Sequence, residues 1–279
     1  MNILFCIDNN YISQIILAMG SIHFHNSGNQ QFFFIYSNIS SSNQDLIRKY
    51  AIKIGLKEPI FIRFKSDKID ILPINGQNWS KEIYYRLFAP YIINVDKILY
   101  LDGDVICTGD LHALYSLDCT MAAAKNDDQS ACQRLNLPQE QPYFNSGVLL
   151  LNLKKIRSLF SKEDILQDLI YYKDILSFPD QDFINIKFGK DIRPIPKKFN
   201  YMISVAEINP SYSKEKSPVL IHYVMEKPWR IKFPYKTDIP YFKQLSHSNK
   251  YLDILKLYFF HRLYRLYQLL CVDKKYRKI

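Results

Sequence analysis

The chain has 279 residues, 48% of them hydrophobic and 15% aromatic, with a formal charge of +10. This composition excludes a disordered chain, and the length suits one large α/β domain with a substantial core rather than two independent enzymatic domains. The charge favours anionic partners, without choosing by itself between nucleotide phosphates, nucleic acid and an acidic membrane surface.

Ile3 to Ile7 predicts a first strand, and Tyr11 to His25 a helix with apolar residues at Ile15, Ile16, Met19 and Ile22. Phe32 to Tyr36 predicts a second strand, followed by a helix from Ser42 to Ile54 capped by Ser42 or Asn43. Ile60 to Phe64 is a third strand, Tyr84 to Tyr91 is helical, and Ile98 to Leu101 is a fourth strand. Strand and helix alternate over short links, the pattern of a mostly parallel sheet with helices on both faces. Beyond Asp104 the order is less regular. Strands are expected at Met121 to Ala124, Ser146 to Asn152 and Val219 to His222, with helices at Glu163 to Leu176 and Gln181 to Phe188. Pro194, Pro196, Pro210 and Pro218 then mark a loop-rich region, and composition changes near residue 236. Residues 1–235 therefore read as the main domain and 236–279 as an appendage to it.

Cys6, Cys107, Cys119, Cys132 and Cys271 are widely spaced and form no Cys-x-x-Cys pair, so neither a disulfide framework nor a zinc site is expected. The economical setting is reduced and cytoplasmic. The apolar run at Ile3 to Ile7 is too short for a signal peptide, and no stretch reaches the roughly 18 apolar residues of a spanning helix.

The most informative stretch is Lys97-Ile98-Leu99-Tyr100-Leu101-Asp102-Gly103-Asp104-Val105-Ile106. A buried strand ends in two carboxylates one residue apart, with Gly103 expected to let the backbone turn sharply. That edge is where an α/β sheet places its ligand, and paired hard oxygens suit a divalent cation shared with a diphosphate. Asp-Gly-Asp is also ordinary turn chemistry.

Other segments fit in order: Ile3 to Tyr11, Tyr84-Tyr85-Arg86-Leu87, Tyr143 to Asn152, Asp180-Gln181-Asp182, and His222-Tyr223 followed by Lys227-Pro228-Trp229. With Leu99 to Asp104 they resemble the family 8 glycosyltransferases, the retaining enzymes that include bacterial lipopolysaccharide α-galactosyltransferases and glycogenin. The resemblance implies a single nucleotide-sugar-binding, Rossmann-like domain of GT-A type with a mixed, mainly parallel sheet, occupying residues 1–235. It implies Asp102, Asp104 and His222 as ligands of Mn²⁺ or Mg²⁺, and a UDP-hexose donor carrying galactose or glucose. It assigns nucleotide contacts to Asp8, Asn10 and Tyr11, and the donor's phosphates and sugar to Arg86 and Gly103. Lys227 meets the leaving phosphate. Asp180, Asn145 and Ser146 take the sugar end, with Gln181 near the reacting carbon, and Asp127 or Asp128 is a further candidate. The expected catalytic set is Gln181, Asp180, Arg86 and Lys227. Family members often carry a Gly between the His and the Lys, and this chain has Tyr223-Val224-Met225-Glu226 there.

Each assignment has a plainer counterpart. Asp8, Asn9 and Asn10 can cap a helix, Asp180 and Asp182 can do the same, and Arg86 can pair with Glu82 on its own helix. A glycosidase is disfavoured because Asp102 and Asp104 share a turn and cannot flank a glycosidic bond at roughly 5–9 Å. A nucleic-acid-binding protein is the alternative that the charge and the tyrosines suggest, but no recognised binding motif supports it. The partners expected are therefore a UDP-sugar and a glycan or lipid-linked oligosaccharide acceptor in surface polysaccharide synthesis, not nucleic acid. The tail adds one more. Residues 250–279 hold eight Lys or Arg against two Asp, and Leu252, Leu255, Phe259, Leu263, Leu266 and Leu270 gather on one helical face. That is an amphipathic helix suited to an anionic membrane surface, placing the protein peripherally on the inner face of the cytoplasmic membrane, unless the same face packs on its own domain.

Overall fold

The computed structural model describes residues 1–74, 79–126, 128–203, 215, 217–224, 227–228 and 244. The candidate Asp127, Trp229 and the expected amphipathic helix lie outside the described residues.

The first strands follow from uninterrupted apolar runs. β1 (Asn2–Cys6), β2 (Gln31–Tyr36), β3 (Ile60–Arg63) and β4 (Lys97–Leu101) pair in parallel in the order β3-β2-β1-β4. β4 leads to a short strand, β5 (Val105–Cys107), and the main sheet continues with β6 (Met121–Lys125), β7 (Phe144–Asn152) and β8 (Ile192–Ile195). β7 runs antiparallel to both β4 and β6, and β8 closes the edge parallel to β6, giving seven strands in the order β3-β2-β1-β4-β7-β6-β8. This mixed, mainly parallel α/β sheet is the expected fold class. A second sheet of β5, β10 (Leu220–His222) and β9 (Tyr201–Met202) stands beside it, with β10 in the centre.

Two apolar layers cover the main sheet. One buries Leu4, Tyr100, Leu149 and Phe183, the other Phe5, Leu99, Leu150 and helix α1 (Ile12–His25), as alternation along the strands requires. Helix α2 (Ser41–Lys53) is capped by Ser40, whose hydroxyl accepts the Asn43 N–H, rather than by Ser42 or Asn43. The Ser40–Ser42 run offers three hydroxyls, and only the first precedes the turn.

Residues 84–91, expected as one helix, are a 3₁₀ helix over Lys81–Phe88 and an α turn over Ala89–Ile92. The tighter winding matters for Arg86. At about three residues per turn, positions four apart no longer share a face, so Glu82 does not pair with it. Glu82 instead bonds the Ser37 hydroxyl, and Arg86 turns inward.

Candidate functional site

The site is built where β4 ends. Asp102 N–H donates to Gly147 O at 2.8 Å, which carries the ladder to β7 one step past β4. The chain then turns and Val105 pairs with His222 of β10, while Tyr223 N–H donates to Asp104 O at 3.0 Å. The second sheet thus delivers His222 to the two carboxylates. Gly103 has no positive φ, so the turn itself does not demand glycine. The close approach of Tyr11 does, since a Cβ there meets the ring at 2.8 Å.

His222 Nε2 lies 3.6 Å from Asp102 Oδ2 and 3.2 Å from Asp104 Oδ1, and one donor atom of each residue falls within 4.8 Å of the others. The Asp104 Oδ1 atom is buried without a hydrogen-bond partner among the described residues. Burial works against the Asp104 charge, but Lys227 and His222 outweigh it and hold the carboxyl well below the ordinary range. Lys227 forms an ion pair with Asp104 Oδ2 and donates to Val224 O at 2.7 Å.

Arg86 organises the other carboxylates from a buried position. Its Nη2 is 3.0 Å from Asp102 Oδ1 and its Nη1 3.3 Å from Asp180 Oδ2, with Nη1 also donating to Ser146 O at 2.8 Å. The guanidinium sits 4.1 Å above the Tyr100 ring, and Tyr100 O–H donates to Asp102 Oδ1 at 2.5 Å. Asp102 therefore spends one oxygen on Arg86 and Tyr100 and turns the other toward His222. Burial opposes the Arg86 charge, yet Asp102 and Asp180 more than restore it. Burial lifts Asp180 above the usual carboxylate value despite Arg86, and apart from that ion pair its Oδ2 has no hydrogen-bond partner among the described residues. Three carboxylates thus meet two cations, and the excess negative charge suits a divalent ion.

These groups line one cavity of about 520 Å³, together with Asp8, Tyr11, Gly103, Asn145, Ser146 and Gln181. Of the expected residues among those described, Asn10 does not line it: its backbone N–H and amide both bond the Asp8 carboxylate, the capping arrangement. Asn9 ties Ser40 and Asn43 of the next helix start. Asp128, the alternative to Asp127, caps the Gln129–Arg134 helix through Ala131 N–H. Asp182 is fully buried, accepting from Arg134, Tyr143 O–H and Phe178 N–H, so it braces its helix and stays out of the cavity.

Sequence reasoning missed several residues. Trp79 and Phe178 present partly exposed rings 6.0 Å apart on the cavity wall, and the only signal was an aromatic at each end of polar or proline-flanked loops. Asn200 contacts His222 and Asn145 with no local signal at all.

Gly147 has no room for a side chain. A Cβ there falls 2.1 Å from His222 Cε1 and 2.8 Å from Asp102 Oδ2. Gly147→Ala should cost about 1–3 kcal/mol of stability, the usual overpacking penalty, and push the ring off the carboxylates. Denaturant unfolding and the His222 ring resonances of the same ¹⁵N-labelled sample check both; an unshifted His222 ring contradicts the expectation.

Comparison with known proteins follows the same lines. A family model described as glycosyl transferase family 8 matches residues 2–232. A lipopolysaccharide 1,2-glucosyltransferase of Escherichia coli (strain K12) is 30% identical over 271 residues, covering 91% of this chain and 79% of that protein. A lipopolysaccharide 1,3-galactosyltransferase of Salmonella typhimurium is 24% identical over 260 residues, covering 82% of this chain and 72% of that one. The crystal structure of the galactosyltransferase LgtC with donor and acceptor sugar analogs superimposes with a TM-score of 0.78 at 25% identity, covering 89% of this chain and 96% of that chain.

Proposed function

Because the chain belongs to glycosyl transferase family 8 and is a glycosyltransferase, we propose that it transfers a hexose from a UDP-sugar to a glycan acceptor with retention, in a divalent-metal-dependent reaction. The observation that carries this reading is the convergence of Asp102, Asp104 and His222 in the cavity that also holds Arg86, Asp180 and Lys227. Their hard oxygens, the imidazole nitrogen, the unpartnered Asp104 Oδ1 and the surplus negative charge all fit Mn²⁺ or Mg²⁺. When bound, such an ion acts as a Lewis acid toward phosphate oxygens.

The rest is done by side chains. Arg86 holds Asp102 and Asp180 in place, and Asp180, which lines the cavity, accepts a hydroxyl of the donor sugar. Lys227 offers its ammonium to the charge that develops on the departing UDP. Asp8 and Tyr11 line the end assigned to uracil and ribose. Gln181 Oε1 already accepts from Asn145 Nδ2 at 2.9 Å and Ser146 N–H at 3.1 Å, which leaves it poorly placed as a nucleophile. This favours same-face substitution, with a donor phosphate oxygen taking the acceptor's proton, over a covalent intermediate. The sugar is glucose or galactose, the pair named for the lipopolysaccharide glucosyltransferase and galactosyltransferase relatives. Lipopolysaccharide or another bacterial surface polysaccharide supplies the acceptor.

Hydrolysis of a panel of UDP-sugars with Mn²⁺ tests this directly. Turnover of UDP-glucose or UDP-galactose that stops in EDTA, with an α-linked product by NMR, is expected; full activity in EDTA or a β-linked first product overturns it.

No helix among the described residues is long and apolar enough to cross a membrane. We propose that residues 236–279 dock the enzyme on the anionic inner face of the cytoplasmic membrane, near a lipid-linked acceptor. The support is the sequence alone: net +6 over residues 250–279 beside one apolar face, with each cation near the surface worth about 1 kcal/mol. Removing residues 248–279 should release the protein from anionic vesicles and leave donor hydrolysis nearly intact. Unchanged vesicle binding by a folded truncation contradicts it.

A further inference from the structure

His222 is 2% exposed, and its ring is held from behind as well as in front. Its Nδ1 lies 2.9 Å from Asn200 Oδ1. Asn200 is itself fully buried, at the end of the 3₁₀ helix Lys197–Phe199 and just before β9. An amide's oxygen and nitrogen have nearly the same shape, so which of them faces the ring depends on what fixes the amide elsewhere.

Backbone donors fix it here. Gly147 N–H donates to Asn145 Oδ1 at 2.9 Å, and an N–H can only donate. Asn145 therefore presents oxygen to Asn200, which must answer with its Nδ2, 2.8 Å away. That leaves Asn200 Oδ1 for His222. On the other side of Asn145, Nδ2 donates to Gln181 Oε1, and that oxygen is pinned by a second backbone donor, Ser146 N–H. Gln181 Nε2 then donates to the Tyr143 hydroxyl oxygen, Oη, at 3.0 Å, and Tyr143 O–H donates to Asp182 Oδ1 at 2.5 Å. Reversing any one amide sets two donors or two acceptors face to face in the buried interior, at roughly 1–3 kcal/mol for each unsatisfied group.

With Asn200 Oδ1, an acceptor, behind it, Nδ1 is the nitrogen that must carry a proton. In the neutral tautomer this leaves the lone pair on Nε2, which faces Asp102 Oδ2 and Asp104 Oδ1.

We propose that Asn200 is a positioning residue that locks His222 in the Nδ1–H tautomer, so that the unprotonated Nε2 is presented where Asp102 and Asp104 converge. The chain Asn145, Gln181, Tyr143 and Asp182 sets the direction of the Asn200 amide and ties the metal end of the cavity to its sugar end. This rests on the reading of His222 as a metal ligand, and the arrangement is what outer hydrogen-bond partners of a metal-binding histidine do: fix its tautomer and aim it.

The test begins with the full-length wild-type protein, free of metal and labelled with ¹⁵N-histidine. Read at a pH above the titration of the ring, His222 should show a protonated Nδ1 and a bare Nε2; a neutral ring protonated at Nε2 alone overturns the proposal without any variant. Asn200→Ala should give mixed tautomers and weaken Mn²⁺ binding about 10–100-fold, read by EPR of free Mn²⁺. Asn200→Asp keeps an acceptor behind the ring, so it should keep the wild-type tautomer and hold Mn²⁺ within about 3-fold, even as its carboxylate opposite Asn145 Oδ1 lowers the melting temperature. Wild-type tautomer and affinity in Asn200→Ala, or a changed tautomer in Asn200→Asp, overturn the assignment, so a failure of Asn200→Ala to fold still leaves it decidable. A wild-type chain that binds no Mn²⁺ even with UDP overturns the metal reading instead, and the tautomer, read without metal, still decides the role of Asn200.

Discussion

Asp104→Asn should lower donor turnover at least ~10³-fold while the protein stays folded, a loss of about 4 kcal/mol of transition-state stabilisation. The amide keeps the carboxylate's shape and can still accept from Lys227, and the backbone bond from Tyr223 N–H to Asp104 O is untouched. What disappears is an anionic oxygen in a cluster where three carboxylates oppose two cations. Losing one charge-assisted hydrogen bond costs about 1.5–3 kcal/mol of stability, well short of unfolding a domain of this size. Steady-state hydrolysis and circular dichroism on the same preparation separate the two effects. A variant retaining a tenth of wild-type turnover would falsify the role given to Asp104.

Arg86→Met should show the opposite balance, with stability as the larger loss. The substitution keeps an unbranched stem over the Tyr100 ring but leaves Asp102 and Asp180 facing each other in the interior with no cation between them. Removing one partner of a buried charged group costs about 3–5 kcal/mol. Ser146 O and Ile83 O lose their donors as well. Urea unfolding of metal-free protein should show this loss, and Mn²⁺ with UDP should recover part of it if the ion replaces some of the missing positive charge. A metal-free stability within 1 kcal/mol of wild type, a small fraction of the buried-pair cost, contradicts the account.

How much of this was legible in the chain follows from what each signal depends on. Strands β1, β2 and β4 announce themselves because they are buried on both faces, and a strand such as Lys97–Leu101 is then a plain apolar run ending at a polar turn. β5 does not, because Val105-Ile106-Cys107 follows Asp-Gly-Asp so closely that the three residues read as the far side of a turn. β8 carries Pro194 and is admitted as a strand because it lies at the sheet's edge, where a missing N–H is tolerated. The cavity residues were legible where a motif holds several of them, as Asp102 and Asp104 or Asp180 and Gln181 do. Asn10 was ambiguous because capping and ligand binding ask for the same side chain at the same place, and in the structure it bonds the Asp8 carboxylate. Asn200 was invisible because its meaning lies in partners 55 and 22 residues away, at Asn145 and His222.

The route by which β10 joins the fold has a consequence for the protein's birth on the ribosome. The turn at Asp102 to Asp104 emerges early, but His222 arrives some 118 residues after Asp104, and it sits on a short strand whose neighbours are β5 and β9. A domain folds as a unit, so the carboxylates at the end of β4 wait for His222 until nearly all of residues 1–222 have left the ribosome. Completion of the cavity thus becomes a report that the polypeptide has closed on itself.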